Sequence, residues 1–175
     1  IILMSVGYAT FSVPLQITGT TTIEKASWGI VFDNVTALDN TTTVPTANIT
    51  APSLADTTHL SFGVKMVLNS VYEFTVDVHN TGTIPAKLDT YTLTGTKGAD
   101  TVLNASTGLS YSSNYLSYDV TYADGTKLAQ GDALGAGESK TLKVSVKYTQ
   151  PTSADQLPSA NEAYVFTLDL GYTQA

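Results

Sequence analysis

Few side chains in this sequence could carry acid–base or metal chemistry. Histidine occurs twice, at His59 and His79. Cysteine is absent, which removes disulfides, thiolate nucleophiles and zinc–thiolate centres. Pairing Leu68 with Tyr72 across a three-residue loop would set both histidines diagonally on one polar strand face, with Asp77 nearby. Two imidazoles without a third fixed ligand do not make a catalytic zinc site, and no H-E-x-x-H motif is present. Both histidines are therefore expected to be solvent-facing strand residues. Asp119, Asp124 and Asp132 stand near expected turns and offer the oxygen ligands calcium takes, but without the spacing of an EF-hand loop. No G-x-S-x-G elbow positions a serine nucleophile, and no glycine-rich phosphate loop occurs. No catalytic residue, metal or cofactor is assigned.

Two kinds of modification chemistry are also written in the chain. Asn34, Asn40, Asn48 and Asn104 open N-x-S/T sequons, candidate acceptors for N-glycans in an exported protein. Three of them fall in a polar, Thr- and Pro-rich connection expected over residues 34–56, with one short strand near residues 47–51. Lys65 and Lys143 would be the candidates for an intramolecular Lys–Asn amide cross-link, which needs a buried lysine. Both take the outward phase of their strands, so solvated lysines are expected.

The composition narrows the partners. Apolar residues make up 42% of the 175 residues, enough for a packed core, while charged residues make up only 13%. All eight basic residues are lysine, and the net charge is −7. A phosphate backbone needs clustered cations, so nucleic acid is not an expected partner. No stretch approaches the ~20 apolar residues of a membrane span. The surface, rich in Thr, Ser, Tyr and Asn, matches an exported protein, carried out by a signal peptide not present in this sequence.

The elements that would position these residues are strands. Leu60, Phe62, Val64, Met66 and Leu68 alternate with polar residues; Tyr72, Phe74, Val76 and Val78 do the same, and a hairpin joining the two sets is expected. Strands are also expected over residues 88–93, at Leu116, Tyr118, Val120 and Tyr122, at Leu142, Val144, Val146 and Tyr148, and from Tyr164 to Tyr172. Asp124-Gly125 is a hairpin signal; residues 95–98 and 107–114 read as loops. Ile23, Trp28, Ile30 and Phe32 are core candidates, with Trp28 as an anchor between sheets. About eight to ten short strands without a helical period predict an all-β, antiparallel β-sandwich.

The N-terminal stretch does not fit that inventory so simply. After the apolar run Ile1-Ile2-Leu3-Met4, Phe11, Val13, Leu15 and Ile17 fall on one face of an alternating strand. Thr10, Ser12, Gln16 and Thr18 fall on the other. Pro14 has no N–H, which suits an edge or a place where one ladder bond is missing. The expected division is an N-terminal strand over residues 1–20 and a single sandwich domain over residues 21–175.

The segments VGYATFS, SWGIVFDNV and YEFTVDVHNTGTIPAKL resemble exported fibre proteins of the TasA/camelysin type, which include biofilm-matrix fibres and archaeal bundling pili. The resemblance runs from Val6 to Leu88. It implies a jelly-roll-like sandwich whose subunits polymerise by donor-strand exchange, the N-terminal strand of one completing a sheet of the next. Phe11, Val13, Leu15 and Ile17 would be the plugs, with Ile2 and Met4 extending them. Camelysin relatives are described as metalloproteases, an activity for which this sequence carries no motif. The expectation is a non-enzymatic, extracellular homopolymer subunit, in a biofilm matrix or in adhesion between cells. The alternative is a carbohydrate-binding or adhesive sandwich module, with Tyr111, Tyr115, Tyr118 and Tyr122 stacking on sugars.

Overall fold

Alternation dominates the described chain, and the chain is accordingly almost all strand. The computed structural model describes residues 21–38, 44, 48–105 and 109–175. Eleven strands occur among them: β1 Ile30–Ala37, β2 Ile49–Asp56, β3 His59–Val64, β4 Ser70–Asn80, β5 Ala86–Lys97, β6 Asp100–Ala105, β7 Ser110–Ser112, β8 Leu116–Tyr122, β9 Ala133–Leu134, β10 Ser139–Tyr148 and β11 Tyr164–Gln174. Helix is confined to short 3-10 turns such as Ala154–Gln156.

All strand pairs are antiparallel. A five-stranded sheet runs in the order β1-β4-β10-β8-β7; a second sheet runs β11-β5-β6, with β9 also paired to β5; β2 and β3 form a separate hairpin. The inner faces share one apolar cluster. It contains Tyr72, Phe74, Val76 and Val78 of β4, Leu116, Tyr118 and Val120 of β8, and Leu142, Val144 and Val146 of β10. From the second sheet come Ala86, Leu88, Leu93 and Leu134. The fold is an all-β sandwich, as alternation predicts.

Alternation tells which face a residue takes, not which strand lies beside it, and several pairings differ from expectation. The hairpin between residues 60–68 and 72–78 does not form. β3 pairs with β2, and β4 pairs with β1 and β10. The apolar residues of β3 and β4 face each other across the sandwich instead of sharing one face. Phe62 meets Phe74 edge-on at a centroid distance of 4.8 Å. The reversal that crosses between layers is built at Asn69, whose φ of 62° is left-handed. It is held by Ser70, whose N–H donates to the Val67 carbonyl at 3.0 Å.

The other departures have similar causes. Residues 95–97 continue β5, which turns at Gly98 (φ 59°) into β6, so the expected loop is a tight hairpin. Asp124-Gly125 does turn the chain, with Gly125 at φ 88°. The strand that follows, however, is β9 in the other sheet, and β10 returns to pair with β8 only afterwards. The short strand expected near residues 47–51 is β2, which runs on to Asp56, and β1 extends into the polar stretch as far as Ala37. Part of the stretch expected to be loop forms β7. Trp28 is not a core anchor: it is 46% exposed, and Ile23 is 91% exposed. Both precede β1, in a segment with no ladder to turn their side chains inward.

One buried polar residue explains the turn between β4 and β5. Asn80 is fully buried. Its Nδ2 donates to the carbonyls of Ile84 (2.9 Å) and Leu134 (3.2 Å), and its Oδ1 accepts from the Gly82 N–H at 3.0 Å. A buried amide so satisfied fixes one geometry for the turn, because any alternative leaves polar groups unpartnered.

Candidate functional site: an apolar slot between two strand edges

The inner face of the five-stranded sheet is not covered evenly. The second sheet covers part of it, and the β2–β3 hairpin covers another part through Phe62, which packs on Tyr72 and Phe74. Between these two covers lies a cavity of about 290 Å³. Its floor is Phe32, Phe74, Val76, Leu142 and Val144 of the five-stranded sheet. One wall is Thr58, His59, Leu60 and Phe62; the other is Phe166, Thr167, Leu168, Asp169 and Leu170 of β11. A second space of about 410 Å³ continues it at Phe32, Thr58 and Leu170, and ends against Trp28, Gly29 and Tyr172. Together they form a slot with an apolar floor and walls that mix polar and apolar residues.

The walls are the edges of strands. Consecutive residues of β11, pointing alternately in and out, border the slot, so its backbone edge faces the space. Among the described residues, β11 pairs only with β5 and β3 only with β2. The inward residues of β11, Tyr164, Phe166, Leu168, Leu170 and Tyr172, are all half-buried, although they pack against the core. Exposed edges of this length and apolarity are normally blunted or covered.

Both walls are held firmly. The tip of the hairpin is fastened to β1 by the Phe32 N–H, which donates to the Thr57 carbonyl at 2.6 Å. At that tip Asp56 accepts from the Thr58 N–H and hydroxyl and contacts His59 Nδ1 at 2.9 Å. The Thr58 N–H above all, then His59, holds its carboxyl well below the usual range. The start of β11 is anchored by Glu162. It takes hydrogen bonds from Lys97 (2.8 Å), Tyr115 (2.5 Å) and Tyr164 (2.9 Å), and Lys97 first of all lowers its pKa. Burial raises the Tyr118 and Tyr164 phenols and pushes Tyr172 up to about 12.

The root of the N-terminal segment sits at the end of this slot. The Thr81 N–H donates to the Gly29 carbonyl (2.8 Å), the Thr83 N–H to the Ser27 carbonyl (2.9 Å), and the Ser27 N–H to Thr83 Oγ1 (2.9 Å). Gly82 must be glycine, because a Cβ there would lie 2.5 Å from the Ser27 carbonyl oxygen. Two of the segments that carry the resemblance, SWGIVFDNV and the HNTGT turn, are therefore in contact. Upstream of that root, residues 21–26 are exposed without interruption.

The remaining sequence candidates are dispersed. Phe11, Val13, Leu15, Ile17, Ile2, Met4 and Asn40 lie outside the described residues. Asn34 is on β1 and not in a polar connection. It occupies a bulge with φ 49°, and its Nδ2 donates to Asp77 at 2.9 Å. Asn48 directly precedes β2 and accepts the Lys65 N–H through its carbonyl; Asn104 stands on β6 opposite Thr94. The histidines are not brought together. His59 pairs with Asp56, and His79 with Asp33 at 3.0 Å across the β1–β4 ladder, a partner that sequence reasoning passed over. Asp124 caps its own turn through Thr126, and Asp132 accepts from Tyr122 and the Ala129 N–H. Among the described residues, no three His, Cys, Asp or Glu side chains gather into a metal site. The tyrosines are engaged in packing: Tyr118 stacks on Phe166 at 4.4 Å, and Tyr111 lies 5.4 Å from the same ring. No helix among the described residues is long and apolar enough to cross a membrane.

No protein-family model, characterised protein or solved structure matches this chain.

Proposed function

We propose that this chain is the structural subunit of an extracellular filament, polymerising head to tail by donating its N-terminal strand to a jelly-roll-like sandwich in the next copy. The observation that supports this reading is the slot bordered by two strand edges, β3 and β11, that have no second partner among the described residues. A strand added to a sheet edge gains affinity from main-chain hydrogen bonds and specificity from alternate side chains that fill pockets. Phe11, Val13, Leu15 and Ile17 supply such side chains, with Ile2 and Met4 available to extend the contact. Each copy then offers a strand at one place and an edge at another, a heterologous contact that propagates without closing. The resemblance to TasA/camelysin-type fibre proteins points the same way. So does a composition of few charges and many hydroxyls, which suits an exported protein in a biofilm matrix or in adhesion between cells. The carbohydrate-binding alternative is weakened by the engagement of Tyr118 and Tyr111 in packing.

Electron microscopy of the purified full-length chain tests the proposal. Filaments are expected, and a variant lacking residues 1–17 should remain folded and fail to polymerise. A synthetic peptide of residues 1–17 should bind that variant and raise its melting temperature. A full-length chain that stays monomeric at all concentrations would overturn the proposal.

A further inference from the structure

The end of the slot beyond the hairpin tip is built differently from its middle. This space of about 410 Å³ lies between Trp28, Ile30 and Phe32 on one strand, Tyr172 on β11, and Thr57 and Thr58 at the tip. Its volume is that of a small-ligand pocket, roughly 300–1,000 Å³. Two aromatic side chains, Trp28 and Tyr172, line it, and Trp28 is 46% exposed. None of the described residues lining it is an Asp, Glu, Lys or His.

Its polar groups are those the ladder leaves over. The Gly29 and Ser27 carbonyls accept the N–H groups of Thr81 and Thr83, so these residues turn their backbone toward β4 and the turn after it. Successive residues of an extended chain turn their N–H and C=O groups to opposite sides, so Trp28 and Ile30 turn theirs away, along the outer edge of β1. Phe32 is in the same phase, and its N–H goes to the Thr57 carbonyl at 2.6 Å. No described residue bonds to the N–H or C=O of Ile30. The hairpin tip meets the edge at Phe32, so a strand added along β1 would be stopped there. What is left is a short row of donors and acceptors beside two aromatic rings.

We infer that this cleft binds a short stretch of neutral sugar units, stacked on Trp28 and Tyr172 and hydrogen-bonded to the Ile30 edge. A sugar ring has a face of C–H groups and a rim of hydroxyls that both donate and accept. The C–H face suits the negative face of an aromatic ring. The hydroxyls suit the Ile30 N–H and C=O, which a purely apolar ligand would bury unpaired. A lining without charged groups, on a chain of net charge −7, favours neutral glycans over acidic ones. The site does not use Tyr111, Tyr115, Tyr118 or Tyr122. It goes beyond the filament reading by giving the subunit a ligand, and it holds whether or not the chain polymerises.

Trp28 is the single tryptophan, so its emission reports on the cleft directly. The full-length chain is titrated with cellohexaose, maltohexaose, chitohexaose and mannohexaose, and with hexagalacturonate as the acidic control. A saturable change in emission is expected with at least one neutral sugar and not with hexagalacturonate. By calorimetry, Trp28→Ala and Trp28→Leu should each bind that sugar about tenfold more weakly or worse, while Trp28→Phe keeps most of the affinity. Ile23→Ala, at a residue that is 91% exposed and outside the cleft, should bind as the unaltered chain does. Circular dichroism checks that each variant keeps its strands. No saturable change with any neutral sugar, equal binding of hexagalacturonate, or unaltered affinity in folded Trp28→Ala or Trp28→Leu would each overturn the site. Electron microscopy of the same preparations reads assembly separately. Filaments that bind none of the sugars would overturn the saccharide site and leave strand donation standing; sugar-binding chains that form no filaments would do the reverse.

Discussion

β4 and β11 are nearly the same strand written twice. Tyr72-Glu-Phe74-Thr-Val76-Asp-Val78 and Tyr164-Val-Phe166-Thr-Leu168-Asp-Leu170 share the order of aromatic, aliphatic and polar positions except at Glu73 and Val165, and both strands are eleven residues long. Their fates differ. β4 is flanked by β1 and β10, and its inward side chains are at most 2% exposed. β11 has one partner among the described residues, and the same positions are only half-buried. The difference lies in the neighbours and not in the strand. A period of two orients side chains toward a core, but burial also needs a strand on each side and a layer above.

That comparison can be broken in several ways. The largest expected effect is on the closed side. Phe74→Ala should cost about 3–5 kcal/mol of stability in urea denaturation, while Phe166→Ala should cost no more than about half as much. Equal losses would mean that the slot is as well packed as the core. Asn80→Ala should cost about 2–3 kcal/mol, since it strands the Ile84 and Leu134 carbonyls and the Gly82 N–H in a buried turn. An unaffected denaturation midpoint would remove that turn from the account of the closed half.

Smaller effects probe the second sheet that carries the open edge. Gly98→Ala forces a Cβ into left-handed backbone at the β5–β6 turn and should lower stability by about 1 kcal/mol, or Tm by about 2–4 °C. Glu162 sharpens the picture through pH. Lys97 and the two tyrosines lower its folded-state pKa, so its contribution is present above the unfolded value near 4.5 and is lost as pH falls through the lower folded value. Partial exposure and solvent screening keep this below about 1 kcal/mol. Thermal melts of Glu162→Gln should therefore show a deficit at pH 7 that shrinks as the pH is lowered below 4.5. A deficit that does not shrink would mean that packing, not charge, anchors β11.

How much of this was legible in the sequence can be read residue by residue. The alternation at Tyr72–Val78, Leu116–Tyr122, Leu142–Tyr148 and Tyr164–Tyr172 placed four strands with the correct faces inward. It placed the sets of Phe62 and Phe74 wrongly on one face of a hairpin, because facing and flanking positions carry the same period. Trp28 read as a core anchor because area predicts burial on average, and nothing local revealed that its segment joins no sheet. The slot was invisible. Its walls come from residues about a hundred positions apart, and a free edge leaves no mark on the residues that form it.

The sequence by itself determined the class of structure and excluded much chemistry. Its period of two makes sheets, its lack of cysteine and its dispersed histidines and carboxylates leave no written catalytic motif, and its few cations disfavour nucleic acid. Only the tertiary structure decided which strands became neighbours, and so which edges were left over. Hydrogen-bonded pairing depends on how the whole chain is routed between layers, at Asn69, Asn80 and the return through β9. Side-chain pattern is a local property, whereas the pairing of strands is a property of the whole fold.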